Sequence, residues 1–191
     1  MVMIQMEDMM KIKKILVILL LGVVLITGCD NLMNTPAKKV ENLLSKYQKN
    51  EEEVLTQLGD VLLEETILSV SQKEKYKELM ERQYKNLMYT IKNEAIDGKT
   101  AVVETEIEVY DYNKAIVNSE NYLLANSTEF QDESGNINTT KYNDYKIKAI
   151  DEMKDRVTYT INFTLSKVDD EWIVDDLTEA ERMKIHGLYA Y

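Results

Sequence analysis

The chain reads as an α+β domain in which N-terminal helices pack on one curved antiparallel sheet. Three observations lead there. Apolar residues recur at helical spacing from Val40 to Leu87, the period changes from 3.6 to 2 near Met88, and two hairpin patterns then bracket a second helical region.

Thr35-Pro36 opens the first helix, because threonine caps free amides and proline at the first helical position loses no needed hydrogen bond. Val40, Leu43, Leu44 and Tyr47 then form its inner face. After Lys49-Asn50 a second helix presents Val54, Leu55, Leu58, Val61 and Leu62. Ser71 and Glu74 have capping-box spacing for a third, which carries Tyr76, Leu79, Met80, Tyr84 and Leu87.

Tyr89 and Ile91, then Val103, Thr105, Ile107 and Val109, alternate with polar residues around Asp97-Gly98, which predicts a hairpin. A three-residue loop, Asp97-Gly98-Lys99, pairs Tyr89 with Ile107, Ile91 with Thr105 and Lys92 with Glu104. A two-residue loop would set Ile91 against Glu104 on the buried face, so the longer loop is expected. Asn113 to about Phe130 reads as helix with Ile116, Tyr122 and Leu123 inward, residues 131–136 as loop, and Thr140 to Asp155 as helix. Val157, Tyr159, Ile161, Phe163 and Leu165 share one face of the next strand. Asp169-Asp170 turns the chain so that Leu165 meets Val174 and Lys167 meets Trp172. A short helix from Thr178 to about His186 ends the pattern.

The helical front and the terminal hairpin bearing Trp172 resemble the cystatin-like, NTF2-like superfamily, and Asn34-Thr35-Pro36-Ala37-Lys38-Lys39-Val40 with Tyr47-Gln48 resembles small uncharacterised Firmicutes lipoproteins on that fold. The resemblance implies a curved sheet that in some members encloses a cone-shaped pocket for ligands or catalysis and in others serves only interaction. Trp172, Tyr159, Phe163 and Tyr89 are the candidates to line such a pocket or, alternatively, to fill a core. With twelve tyrosines the chain could line a cone with hydroxyl-tipped rings, although packing is the favoured role.

Ahead of this domain, Lys11, Lys13 and Lys14 precede the apolar run Ile15 to Ile26 and the residues Thr27-Gly28-Cys29. Twelve apolar residues are too few for a spanning helix, which needs about 20. They suit a signal peptide, whose apolar core is about 7–15 residues. Leu25-Ile26-Thr27-Gly28-Cys29 resembles a lipobox. The resemblance implies diacylglycerol, with two acyl chains such as palmitate, on Cys29, followed by cleavage between Gly28 and Cys29. Residues 1–28 are then signal peptide, 29–35 a lipidated tether and 36–191 one domain. Glu7 and Asp8 fit poorly in a basic leader and place the start of translation at Met9 or Met10.

Removing residues 1–28 takes away a net charge of +1, so the chain's −11 becomes −12 and 163 residues remain. That length suits one domain. The acidic surface argues against nucleic acid as a partner and against flat binding to anionic lipid headgroups. Cys29 is the single cysteine and His186 the single histidine, so an intrachain disulfide and CxxC sites are excluded, and a catalytic triad or zinc site would have to recruit His186, for which a surface or packing role is expected. No HExxH, GxSxG, P-loop or GxGxxG pattern occurs, and no cofactor or metal is expected. Asp169-Asp170-Glu171 and Asp175-Asp176 lack EF-hand spacing and read as a turn and a helix start. The expected protein is a lipid-anchored, extracytoplasmic binding or interaction module of a Gram-positive cell membrane, with an unknown protein or small ligand as partner. Alternatives are an NTF2-like pocket enzyme with a buried carboxylate base, and an envelope assembly or immunity factor.

Overall fold

A computed structural model describes residues 34–190. The expected signal peptide, the cleavage site Gly28-Cys29 and the lipidated Cys29 lie outside the described residues. The order is α1 (Pro36–Gln48), α2 (Glu52–Glu64), α3 (Val70–Lys85), β1 (Met88–Asp97), β2 (Thr100–Tyr110), α4 (Tyr112–Ala125), a 3-10 turn (Ser127–Phe130), α5 (Thr139–Glu152), β3 (Arg156–Val168), β4 (Glu171–Val174) and α6 (Glu179–His186). The four strands form one antiparallel sheet in the order β1-β2-β3-β4. The class is therefore α+β, compatible with the NTF2-like architecture.

The caps explain where the helices begin. Thr35 Oγ1 accepts the Lys38 amide at 3.2 Å, and Pro36 is the first residue of α1. The box that opens α3 is Ser69 with Gln72, not Ser71 with Glu74. Ser69 Oγ accepts the Gln72 amide while Gln72 Oε1 accepts the Ser69 amide. Gln72 prevails because its amide also donates to Thr140 O and to Asp144 Oδ1 across the α3–α5 contact, which a glutamate cannot do.

The first hairpin differs from its expected register in an instructive way. Tyr89 pairs with Ile107 and Ile91 with Thr105, as the alternation requires, but Asn93 rather than Lys92 faces Glu104. A bulge between Ile91 and Asn93 absorbs one residue, so a two-residue loop, Gly98-Lys99, joins the strands. Both constraints are thereby met: the apolar faces stay together and the turn stays tight. The bulge releases Lys92 to reach Glu106 at 3.2 Å. The second hairpin has the expected register, with Leu165 on Val174 and Lys167 on Trp172.

The core lies between one face of the sheet and the helices α1 and α3. Val103, Ile107, Ile161, Phe163 and Leu165 from the sheet meet Val40, Leu44, Met80 and Tyr84, all fully or almost fully buried. α2 buries only Val54, Leu58 and Leu62. Val61, expected in the core, is 67% exposed, because residues at i, i+4 and i+8 suffice for a helix that touches the domain along one narrow seam. The region expected as one helix to Phe130 divides at Asn126 into α4 and the 3-10 turn. Tyr122 stands at the surface, stacked on Tyr145 with ring centres 4.9 Å apart, and Phe130 is buried against Tyr142 and Tyr145.

Candidate functional site

The four aromatic candidates are not brought to one pocket. Phe163 is fully buried on the helix-covered face of the sheet. Tyr159 is nearly so, its hydroxyl donating to Tyr189 O at 3.0 Å and its ring lying edge-on to Tyr189. Tyr89 is half-buried near the start of β1. Where a ligand-binding cone would open, the sheet is packed with aliphatic side chains and Phe163. Phe163 and Tyr159 are part of the buried apolar cluster there.

Trp172 lines a cleft. About 810 Å³ lies between α1, α2, β4 and the start of α6, walled by Leu43, Tyr47, Trp172, Val174 and Leu177, with Lys39, Lys46 and Arg182 among the rim residues. Each rim cation is engaged. Lys39 pairs with Glu171 at 2.8 Å, Lys46 with Glu53 at 2.6 Å, and Arg182 donates to Leu177 O. Trp172 is itself 7% exposed and carries the Lys167 ammonium 5.9 Å from its ring centre. It is therefore a wall of the cleft more than a stacking platform within it.

Two polar constellations hold the ends of the domain, and sequence reasoning found neither. Asn34 forms the first. Its Nδ2 donates to Asp170 O at 2.8 Å and its Oδ1 accepts the Trp172 amide at 3.1 Å, so the side chain pairs with the free edge of β4 as a short strand would. Ala37 N, in the first turn of α1, donates to Glu94 Oε2 at 2.8 Å. A carboxylate at a helix N-terminus is favourable there. Asn before Thr-Pro was the available signal, but nothing in the sequence reports that β4 passes nearby.

Gln83 forms the second. It is 0% exposed, donates from Nε2 to Tyr110 O and His186 O, and accepts the Tyr110 amide at Oε1, each at 2.9 Å. One side chain thus ties α3 to the end of β2 and to the end of α6. Beside it, a 3.0 Å hydrogen bond joins Tyr84 Oη to His186 Nε2. Burial, with a smaller contribution from Arg182, pushes the His186 pKa down to about 4, and burial raises that of Tyr84. The imidazole is neutral at pH 7 and serves packing. Among the described residues no group of three or more His, Cys, Asp or Glu side chains could hold a metal ion, and no helix is long and apolar enough to cross a membrane.

The geometry defines a filled α+β domain with an open cleft beside β4. No family model matches the chain, and no curated protein matches it. Among solved structures, the candidate lipoprotein ycdA of Bacillus subtilis is similar to it at a TM-score of 0.38 and 16% identity, over 85% of this chain and 50% of that one. The chain spans half the length of that neighbour.

Proposed function

We propose that the chain is a lipid-anchored interaction module on the extracytoplasmic face of a bacterial cell membrane, an NTF2-like domain of the kind found in small Firmicutes lipoproteins. Cys29, following Leu25-Ile26-Thr27-Gly28, carries the anchor, with residues 1–28 as signal peptide, 29–35 as tether and 36–191 as one domain. Two acyl chains give stable attachment where one would bind only marginally. The observation that carries the interaction reading over the pocket-enzyme reading is the packing of the helix-covered sheet face, where Val103, Ile107 and Phe163 are fully buried and leave no exposure for a substrate beside them. The domain then recognises partners from its outside, through the cleft at Trp172 or the apolar side chains that the helices leave exposed, among them Val61, Leu63, Ile67 and Val70.

Crosslinking in intact cells followed by capture from detergent-solubilised membranes tests this. The same protein partner should be recovered repeatedly with the wild type. Cys29→Ala should release the protein from the membrane and lose that partner, while the isolated domain keeps its circular dichroism. Recovery of the chain alone, together with turnover of a small molecule, would favour the pocket enzyme.

A further inference from the structure

The structure pins the start of the domain to one end of its sheet, and that end has a distinct surface. Both hairpin turns, Gly98-Lys99 and Asp169-Asp170, lie there, joined by the Lys167 amide donating to Lys99 O at 2.8 Å. Asn34 grips Asp170 O and the Trp172 amide at the same end, and Thr35-Pro36 leads at once into α1. On the face of this end opposite the core Val102, Val168 and Ile173 are 40–50% exposed, whereas further along the same face Glu104, Glu106 and Glu108 alternate outward.

We infer that the turn end is the face that rests on the anchoring bilayer, with Val102, Val168 and Ile173 at the lipid headgroups and the helices α4 and α5 directed away. The inference rests on the proposed lipidation of Cys29. Four residues lie between Cys29 and Asn34, and the five Cα–Cα steps they make can span at most about 18 Å. The opposite end of the sheet, at Met88 and Glu108, is eight residues along β2 from Thr100, about 27 Å away. With Asn34 fixed at the turn end, the tether is too short for the domain to stand on its other end. The apolar trio is small, so it orients the domain while the acyl chains supply the affinity. Lys39 and Lys167 pair with Glu171 and Asp170, which reduces the repulsion between the acids of this end and anionic lipid.

Fluorophore labels on single added cysteines test the inference in the full lipidated protein, where the Cys29 thiol is blocked by its lipid. Val168→Cys reports the turn end and Met88→Cys, also about half exposed, reports the far end. The protein is reconstituted in phosphatidylcholine vesicles with headgroup-spin-labelled lipid, with and without phosphatidylglycerol. The Val168 label should be quenched several-fold more than the Met88 label, and Asn34→Ala should bring the two towards equality without releasing the protein. Equal quenching at both positions in vesicle-bound, lipidated wild type would overturn the orientation and leave the anchor standing. A mass spectrum showing unmodified Cys29 in the native host would overturn the anchor itself, and the orientation with it.

Discussion

Replacing Gln83 by leucine removes a buried amide without leaving a large void, so its cost measures the clamp between α3, β2 and α6. Three backbone groups lose their partner at once: the Tyr110 amide, the Tyr110 carbonyl and the His186 carbonyl. Leaving a buried polar group unsatisfied costs about 1–3 kcal/mol, and the carbonyls retain a second lone pair through which relaxation can help. A total of about 3–5 kcal/mol follows, against a typical domain stability of about 5–15 kcal/mol. With a urea slope of about 2 kcal/mol/M the midpoint should fall by roughly 2 M, read by Trp172 fluorescence and circular dichroism. Gly187→Ala approaches the same clamp sterically. Gly187 has a φ of 70°, and an added Cβ would collide with Tyr110 O and Gln83 Nε2. The double variant should therefore destabilise by less than the sum of the two singles. A midpoint unchanged in Gln83→Leu, or strict additivity with Gly187→Ala, would refute the assignment of the three bonds to one cooperative unit.

Trp172→Ala should cost about 3–5 kcal/mol, because the ring is nearly buried between β4 and α1. Denaturant melts followed by circular dichroism check this, and an intact midpoint with altered partner binding would make Trp172 a recognition residue instead. His186 gives a pH signature. Its folded pKa of about 4 lies below the ordinary 6.5, so its contribution is complete above pH 6.5 and is lost as pH falls towards 4. The loss is at most about 3 kcal/mol, since part of the ring meets solvent. His186→Phe should flatten the pH dependence of the urea midpoint between pH 6.5 and 5, and a curve parallel to wild type would contradict it. Phe130→Ala should loosen the α4–α5 arm through loss of the contacts to Tyr122, Tyr142 and Tyr145. Hydrogen exchange should accelerate in that arm and leave the sheet protected.

Much of this architecture is local and therefore legible. The 3.6-residue stripe from Val40 to Tyr47, the cap at Thr35, the strict alternation from Val157 to Leu165 and the acidic turn at Asp169-Asp170 each carry their conformation in a few neighbouring residues, so element type and the second hairpin's register follow from sequence alone. Composition and spacing likewise raise the lipobox resemblance and remove the common catalytic motifs. What sequence could not supply depends on residues far apart in the chain. The choice of Gln72 over Glu74 was made by Thr140 and Asp144, and the bulge at Lys92 by two strands that had to satisfy a tight turn and a common apolar face. Packing was the favoured reading of the tyrosines, but which of them are buried, Tyr47, Tyr84, Tyr112 and Tyr159 among them, was decided by the elements that close over them. The roles of Asn34 and Gln83 were invisible for the same reason: an amide has no preferred partner until the fold brings a buried or edge backbone group beside it, and only then does leaving that group unpaired carry a cost.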